Sequence, residues 1–160
     1  MAMPFYLECP EYPGSCEQIG REGWILCEAL DRRIVIPFDP QSGRPAGLRK
    51  HGSFRITKVF DKSSPGPYRA CCTGQLLREL KFRFFRSDPT GAEEFYYIIT
   101  LRAAFVEEIH PYVQNCLLPE YENLGHIEEV AFNYAEIEWE WVPDSVVQLD
   151  QWQGRARPRC

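Results

Sequence analysis

At 160 residues, 44% hydrophobic and 26% charged, the chain is long enough for one compact core, and its 11 Gly and 13 Pro exclude a collagen-like or low-complexity sequence. Seven cysteines fall below the density of a disulfide scaffold, so reduced thiols are expected. A net charge of −5 argues against a general nucleic-acid binder, and no apolar run approaches the ~18 residues of a membrane helix.

Strand signals dominate in chain order. Met1 to Pro10 carries Glu8 and lacks a basic flank before an apolar stretch, so it does not read as an export signal; synthesis in the cytoplasm follows. Phe5 to Cys9 reads as a short first strand, and Trp24 to Phe38 as one long or bent strand broken by Pro37. Residues 39–52 combine two prolines, three glycines and three cations without periodicity, which predicts a long exposed loop of the kind usually functional or disordered. Phe54 to Phe60 alternates as a half-buried strand. Ser63, Ser64 and Pro65 then read as a cap and first turn of a helix over 65–73, with Gly74 as its stop.

Residues 76–86 form the next predicted strand, joined by a turn at Ser87 to Gly91 to a strand from Phe95 to Val106, apolar on both faces at its start. Residues 107–118 extend further, and Leu118 to Gly125 is a loop. In the last strand, Ile127 to Val142, apolar residues switch from even positions (Val130, Phe132, Tyr134) to odd ones (Ile137, Trp139, Trp141). Either a β-bulge near Ala135 and Glu136 restores one face, or the strand passes from one sheet to another. The expected fold is mainly β: a single-domain β-barrel of two packed sheets over residues 1–143, with one short α-helix on its side and a C-terminal tail over 144–160.

Charge falls in blocks. Residues 1–31, 32–86, 87–150 and 151–160 carry net charges of −5, +10, −13 and +3. Three readings fit this pattern: basic and acidic strands neutralise each other across one ladder, opposite flanks of the domain attract neighbouring copies into a ring, or the basic block holds an anionic partner.

Chemistry finds little support. His51, His110 and His126 lie far apart in sequence and no Cys-x-x-Cys occurs, leaving metal binding without a pattern, and neither a nucleophile elbow nor a phosphate or dinucleotide loop is present. No catalytic, cofactor or metal residue is assigned. Cys71 and Cys72, adjacent near the helix end, are expected to be packed; Cys160 is expected to be the most exposed thiol.

The run HGSFRITKVFDKSSP (51–65), followed by Tyr68, Ala70 and Gly74, resembles the central segment of the Hcp family, the tube protein of the bacterial type VI secretion system. PGSCEQIGREGWI (13–25), IPFDPQSGRPAGLR (36–49), LKFRFFR, EEFYYIITL and AFNYAEIEWEW continue the resemblance in order over about residues 5–142. It implies a barrel with one lateral helix that assembles as a homo-oligomer, a hexameric ring, with rings stacking into a hollow tube. A contractile sheath propels such a tube, tipped by spike proteins, with effectors in its lumen. The protein would be cytoplasmic before assembly and then secreted without a signal peptide, and without membrane insertion or nucleic acid. The resemblance makes Asp39, Pro40, Gln41, Ser42, Gly43, Arg44, Pro45, Arg49 and Lys50 the ring-stacking loop. It gives Ser64, Pro65, Tyr68, Ala70 and Gly74 to helix and ring packing. Gly66 and Pro67 depart from the family pattern and predict a looser first turn. The rival reading is a monomeric β-barrel holding a small apolar ligand among its aromatic residues.

Overall fold

The computed structural model describes residues 3–152. Its strands are β1 Phe5–Glu8, β2 Ile25–Cys27, β3 Ala29–Asp31, β4 Ile34–Val35, β5 Lys50–His51, β6 Phe54–Val59, β7 Leu77–Ser87, β8 Glu93–Tyr112, β9 Ile127–Asn133, β10 Glu136–Trp141 and β11 Val146–Gln151. Helix α1 spans Pro65–Thr73, as predicted, and a 3-10 turn covers Pro119–Tyr121.

All pairings are antiparallel, in the order β2-β1-β7-β8-β9-β6-β3, with the β10–β11 hairpin attached to β8. Only Glu28 separates β2 from β3, and its N–H donates to the Thr57 carbonyl (2.8 Å) on β6. The first and last strands of the order are thus consecutive pieces of one extended segment, which brings the ladder back on itself as a barrel.

Strand β8 makes this closure possible. Its first half pairs with β7 and β10, and its second half with β9. At their junction Ala103 takes φ 50°, and early in the second half the register slips at Glu107. Bulges of this kind bend a strand and raise its twist. Two halves of the ladder therefore face one another over a single core, which includes Phe5, Phe54, Leu80, Phe82, Phe132 and Ile137.

The parity switch in the last strand has the same origin. Strands β9 and β10 are interrupted at Tyr134 and Ala135, and β9 belongs to one half while β10 belongs to the other. Val130, Phe132, Tyr134 and Ile137 all end at 0–2% exposure in the same core. The two alternatives describe one event: an inserted residue keeps the apolar face inward while the chain changes halves.

Several expectations need correcting. Trp24 to Phe38 is three short strands, because β3 leaves the barrel after Asp31 to form the β4–β5 ribbon. Within the segment set apart as a tail, Val146–Gln151 is strand β11, paired with β10; Cys160 lies outside the described residues. Ser64 adopts helical angles and makes no cap bond. Its hydroxyl instead accepts from Lys58 Nζ and the Asp61 N–H, both at 3.0 Å. Gly66 does not loosen the helix: a Cβ there would lie 2.3 Å from the Tyr12 ring, so glycine lets that ring pack on the first turn. Cys71 is half-buried and Cys72 exposed, because the packed face of α1 is set by Pro67 and Ala70.

Candidate assembly surfaces

The loop predicted to reach a neighbour is an ordered finger. Asp39 closes its tip, its carboxylate accepting from Gln41 N–H (3.0 Å) and Ser42 hydroxyl (2.7 Å) while its carbonyl accepts from Gly43 N–H (2.8 Å). Gly43 supplies the left-handed φ of 68° that this turn requires. Asp39 N–H donates to the Arg44 carbonyl, and Phe38 bridges Pro45. With the tip satisfied internally, the finger presents Pro40, Pro45 and Arg44 to solvent. Phe38 is 65% and Leu48 84% exposed, a pair of large apolar side chains with no cover.

The root of the finger is fixed by residues far away in sequence. Arg49 donates twice to the Asp150 carboxylate on β11 (2.7 Å each) and once to the Gln151 carbonyl (2.8 Å). Such a bidentate pair fixes direction as well as distance. His51 Nε2 meets the same carboxylate at 2.7 Å, and its Nδ1 lies 2.7 Å from the Tyr134 hydroxyl. Arg32 donates to that hydroxyl (2.9 Å), and Trp152 stacks on His51 while its indole N–H donates to the Tyr134 carbonyl (2.7 Å). With Arg32 donating to the hydroxyl, the contacts accommodate a neutral ring, the Tyr134 O–H donating to Nδ1 and Nε2–H donating to Asp150. Burial holds its pKa below the usual imidazole value; Asp150 pulls upward, and Arg32 and Arg49 push down. The Arg49 guanidinium, then His51, hold the Asp150 carboxyl below the usual range. This Tyr–His–Asp series is closed off: the His51 side chain is 0% exposed and Tyr134 is equally buried, so it serves as an anchor.

The helix residues form a separate site. Ala70 is fully buried, Tyr68 is 39% exposed, Pro65 starts the helix in solvent, and Gly74 ends it at φ 65°. The start of α1 is tied to β6 through Lys58, whose ammonium meets Glu128 (2.6 Å), Asp61 (3.2 Å) and Ser64 (3.0 Å). Lys58 and Glu128 are each 1% exposed. Finger and helix are not brought together: β6 separates them, with the finger entering at Phe54 and the helix leaving beyond Val59.

Sequence reading missed Asp150, Tyr134, Arg32 and Trp152. The useful signal was Trp152, an aromatic in a stretch otherwise read as tail. The charge blocks largely neutralise across the ladder. Arg55 meets Glu108 and Glu129; Arg83 meets Glu8; Arg86 meets Glu94; Arg102 meets Glu136 and Glu138. Among the described residues no group of three or more His, Cys, Asp or Glu is placed to hold a metal ion, and no helix is long and apolar enough to cross a membrane.

Residues 6–141 match the family model described as "Type VI secretion system effector, Hcp". The chain is 34% identical over 141 residues to the "Major exported protein" of Pseudomonas aeruginosa, covering 88% of this chain and 82% of the relative. The fold is similar to Hcp1 from E. coli EAEC 042 (TM-score 0.81, 28% identity, 96% of this chain and 99% of that one). It is also similar to the secreted protein Hcp3 from Pseudomonas aeruginosa (TM-score 0.77, 25% identity, 95% and 99%). The chain belongs to the Hcp family of type VI secretion proteins.

Proposed function

We propose that this chain is the structural subunit of a type VI secretion inner tube. Six copies form a ring, rings stack into a hollow tube, and a contractile sheath ejects the tube with effectors in its lumen and spike proteins at its tip. The subunit leaves the cytoplasm by this route and needs no signal peptide. The observation that carries this reading is the finger: an ordered projection with exposed Phe38 and Leu48, anchored at its root by Arg49, His51 and Asp150, within a chain that belongs to the Hcp family. A projection so rigidly mounted is suited to docking on another molecule. Asp39 to Pro45, with Arg49 and Lys50, form the stacking element, and α1 with Tyr68 contributes to packing within the ring.

The rival, a monomeric carrier of an apolar ligand, needs a free interior. The barrel is instead occupied by its own rings: Phe54 and Phe82 centroids lie 4.5 Å apart, with Phe5 and Phe132 at 6.4 and 6.2 Å from Phe82. A channel therefore has to come from several copies. Deleting residues 40–48 should leave rings intact and abolish their stacking; tubes of normal length from that variant would remove the finger's role.

A further inference from the structure

The finger needs a seat, and the opposite end of the same strand offers one. We infer that the finger of one copy docks on the loop 113–125 of the copy in the next ring, pairing its unpaired cations with Glu120 and Glu122 over an apolar contact. This rests on the reading of the finger as the stacking element.

The first observation is placement. The ribbon that carries the finger joins β6 at Phe54, where β3 also leaves, Asp31 standing opposite Arg55. The loop 113–125 joins β8 to β9, and Ile127 stands opposite both Val59 and Tyr112, at the other end of β6. The Phe60 N–H donates to the His126 carbonyl at 3.0 Å and fixes the loop's end there. Five residue steps along β6 put the two loops on opposite ends of the barrel, about 17 Å of strand apart. A contact between opposite ends of identical copies is heterologous and does not close, so it repeats as an open stack of one polarity.

Charge is the second observation. On the finger and its ribbon, Arg33, Arg44 and Lys50 are exposed and have no ion-pair partner among the described residues, whereas Arg49 is committed to Asp150. The loop 113–125 holds Glu120 and Glu122, both exposed and without an ion-pair partner among the described residues, and contains no Lys or Arg. These carboxylates are left over after the ladder has neutralised most of the acidic block. Lys62, before α1, and Arg69, within it, lie outside this loop.

The third observation is apolar surface on both sides. Leu117 is 88% exposed, with Val113, Leu118 and Leu124 also uncovered, and Phe60 lies beside them against His126. They match Phe38, Leu48 and Ile36 on the finger in kind. A 13-residue loop around one 3-10 turn is longer than a connection requires, as expected of a segment kept for a contact. Its leucines would exclude water from the ion pairs, and the charges set which end meets which.

The test is charge reversal on the full chain, read by solution mass for rings and by electron microscopy for tubes. Glu120→Lys with Glu122→Lys should form rings but lose stacking, since neither side chain holds the fold together. Adding Arg44→Glu and Lys50→Glu should restore tubes, and wild-type tubes should shorten as salt rises from ~0.15 to 1 M. Normal tubes from the Glu120→Lys, Glu122→Lys variant would overturn the seat, as would loss of tubes that the reversed finger does not rescue. The 40–48 deletion separates the two ideas: if it blocks stacking while the loop reversal does not, the finger docks elsewhere; if it stacks normally, the finger reading itself falls.

Discussion

Replacing Lys58 by Met isolates the anchor of α1. The Lys58 ammonium has four partners: Glu128, Asp61, Ser64 and the Val59 carbonyl, at 2.6, 3.2, 3.0 and 3.2 Å. Removing it leaves the Glu128 carboxylate 1% exposed with no cation, and one of its oxygens, Oε2, already lacks a hydrogen-bond partner. Breaking a buried pair by deleting one member costs about 3–5 kcal/mol, because the surviving charge stays desolvated. For a domain of this length that corresponds to a fall in Tm of roughly 10 °C. Lys58→Met with Glu128→Leu removes both charges and should recover most of the loss. A residue of about 1–2 kcal/mol should persist, since Asp61 and Ser64 still lose their donor. Urea unfolding at fixed protein concentration, with an unchanged m value, measures both variants. A loss below about 1 kcal/mol for the single variant would refute the reasoning, as would a double variant no more stable than the single one.

Further expectations concern the anchor, the helix and the thiols. His51 has a folded pKa below its unfolded value near ~6.5, so its contribution is present above that value and is lost as pH falls through the folded pKa. His51→Phe should therefore flatten the decline in stability between pH 7 and 5, and hydrogen exchange over residues 36–50 should rise in the variant; equal slopes would exclude the linkage. Asp150 shifts the other anchor titration to more acid pH, its contribution present above ~3.9 and lost as pH falls through its lowered folded pKa, a second step that Arg49→Gln should weaken. Gly66→Ala should destabilise by about 1–3 kcal/mol through the Tyr12 ring, and Tyr12→Ala should relieve part of that cost if the clash is its cause. Burial pushes the Cys9 thiol up to about 11 and raises Cys27 as well, while Cys72 and Cys116 are exposed. Among the described thiols, alkylation at pH 8 followed by mass spectrometry should modify Cys72 and Cys116 first and reach Cys9 and Cys27 only on unfolding.

What the chain revealed in advance follows the range of the interactions involved. Helix α1 was legible because Pro65 and Gly74 act within the helix itself, and β6 because Phe54, Ile56 and Lys58 alternate over six residues. Lys58 shows the limit of that pattern: it occupies an inward position as a cation, tolerated only because Glu128, 70 residues on, stands opposite it in the β6–β9 ladder. The finger was legible as a loop from its prolines and glycines. Its rigidity was not, because Arg49 and Asp150 are 101 residues apart and the strand holding Asp150 is exposed at five of its six positions. The charge blocks were visible, but only pairing shows that β6 and β7 spend most of their cations on β1, β8 and β9. The loop 113–125 drew no attention because Glu120 and Glu122 are two acids among many until the ladder pairs most of the others.

Electron microscopy of the purified full chain at micromolar concentration, with solution mass on the same sample, tests the central claim most directly. A tube subunit predicts six-membered rings with an open centre, some of them stacked in register. A single species of monomer mass, with neither rings nor stacks at any concentration tried, would contradict it.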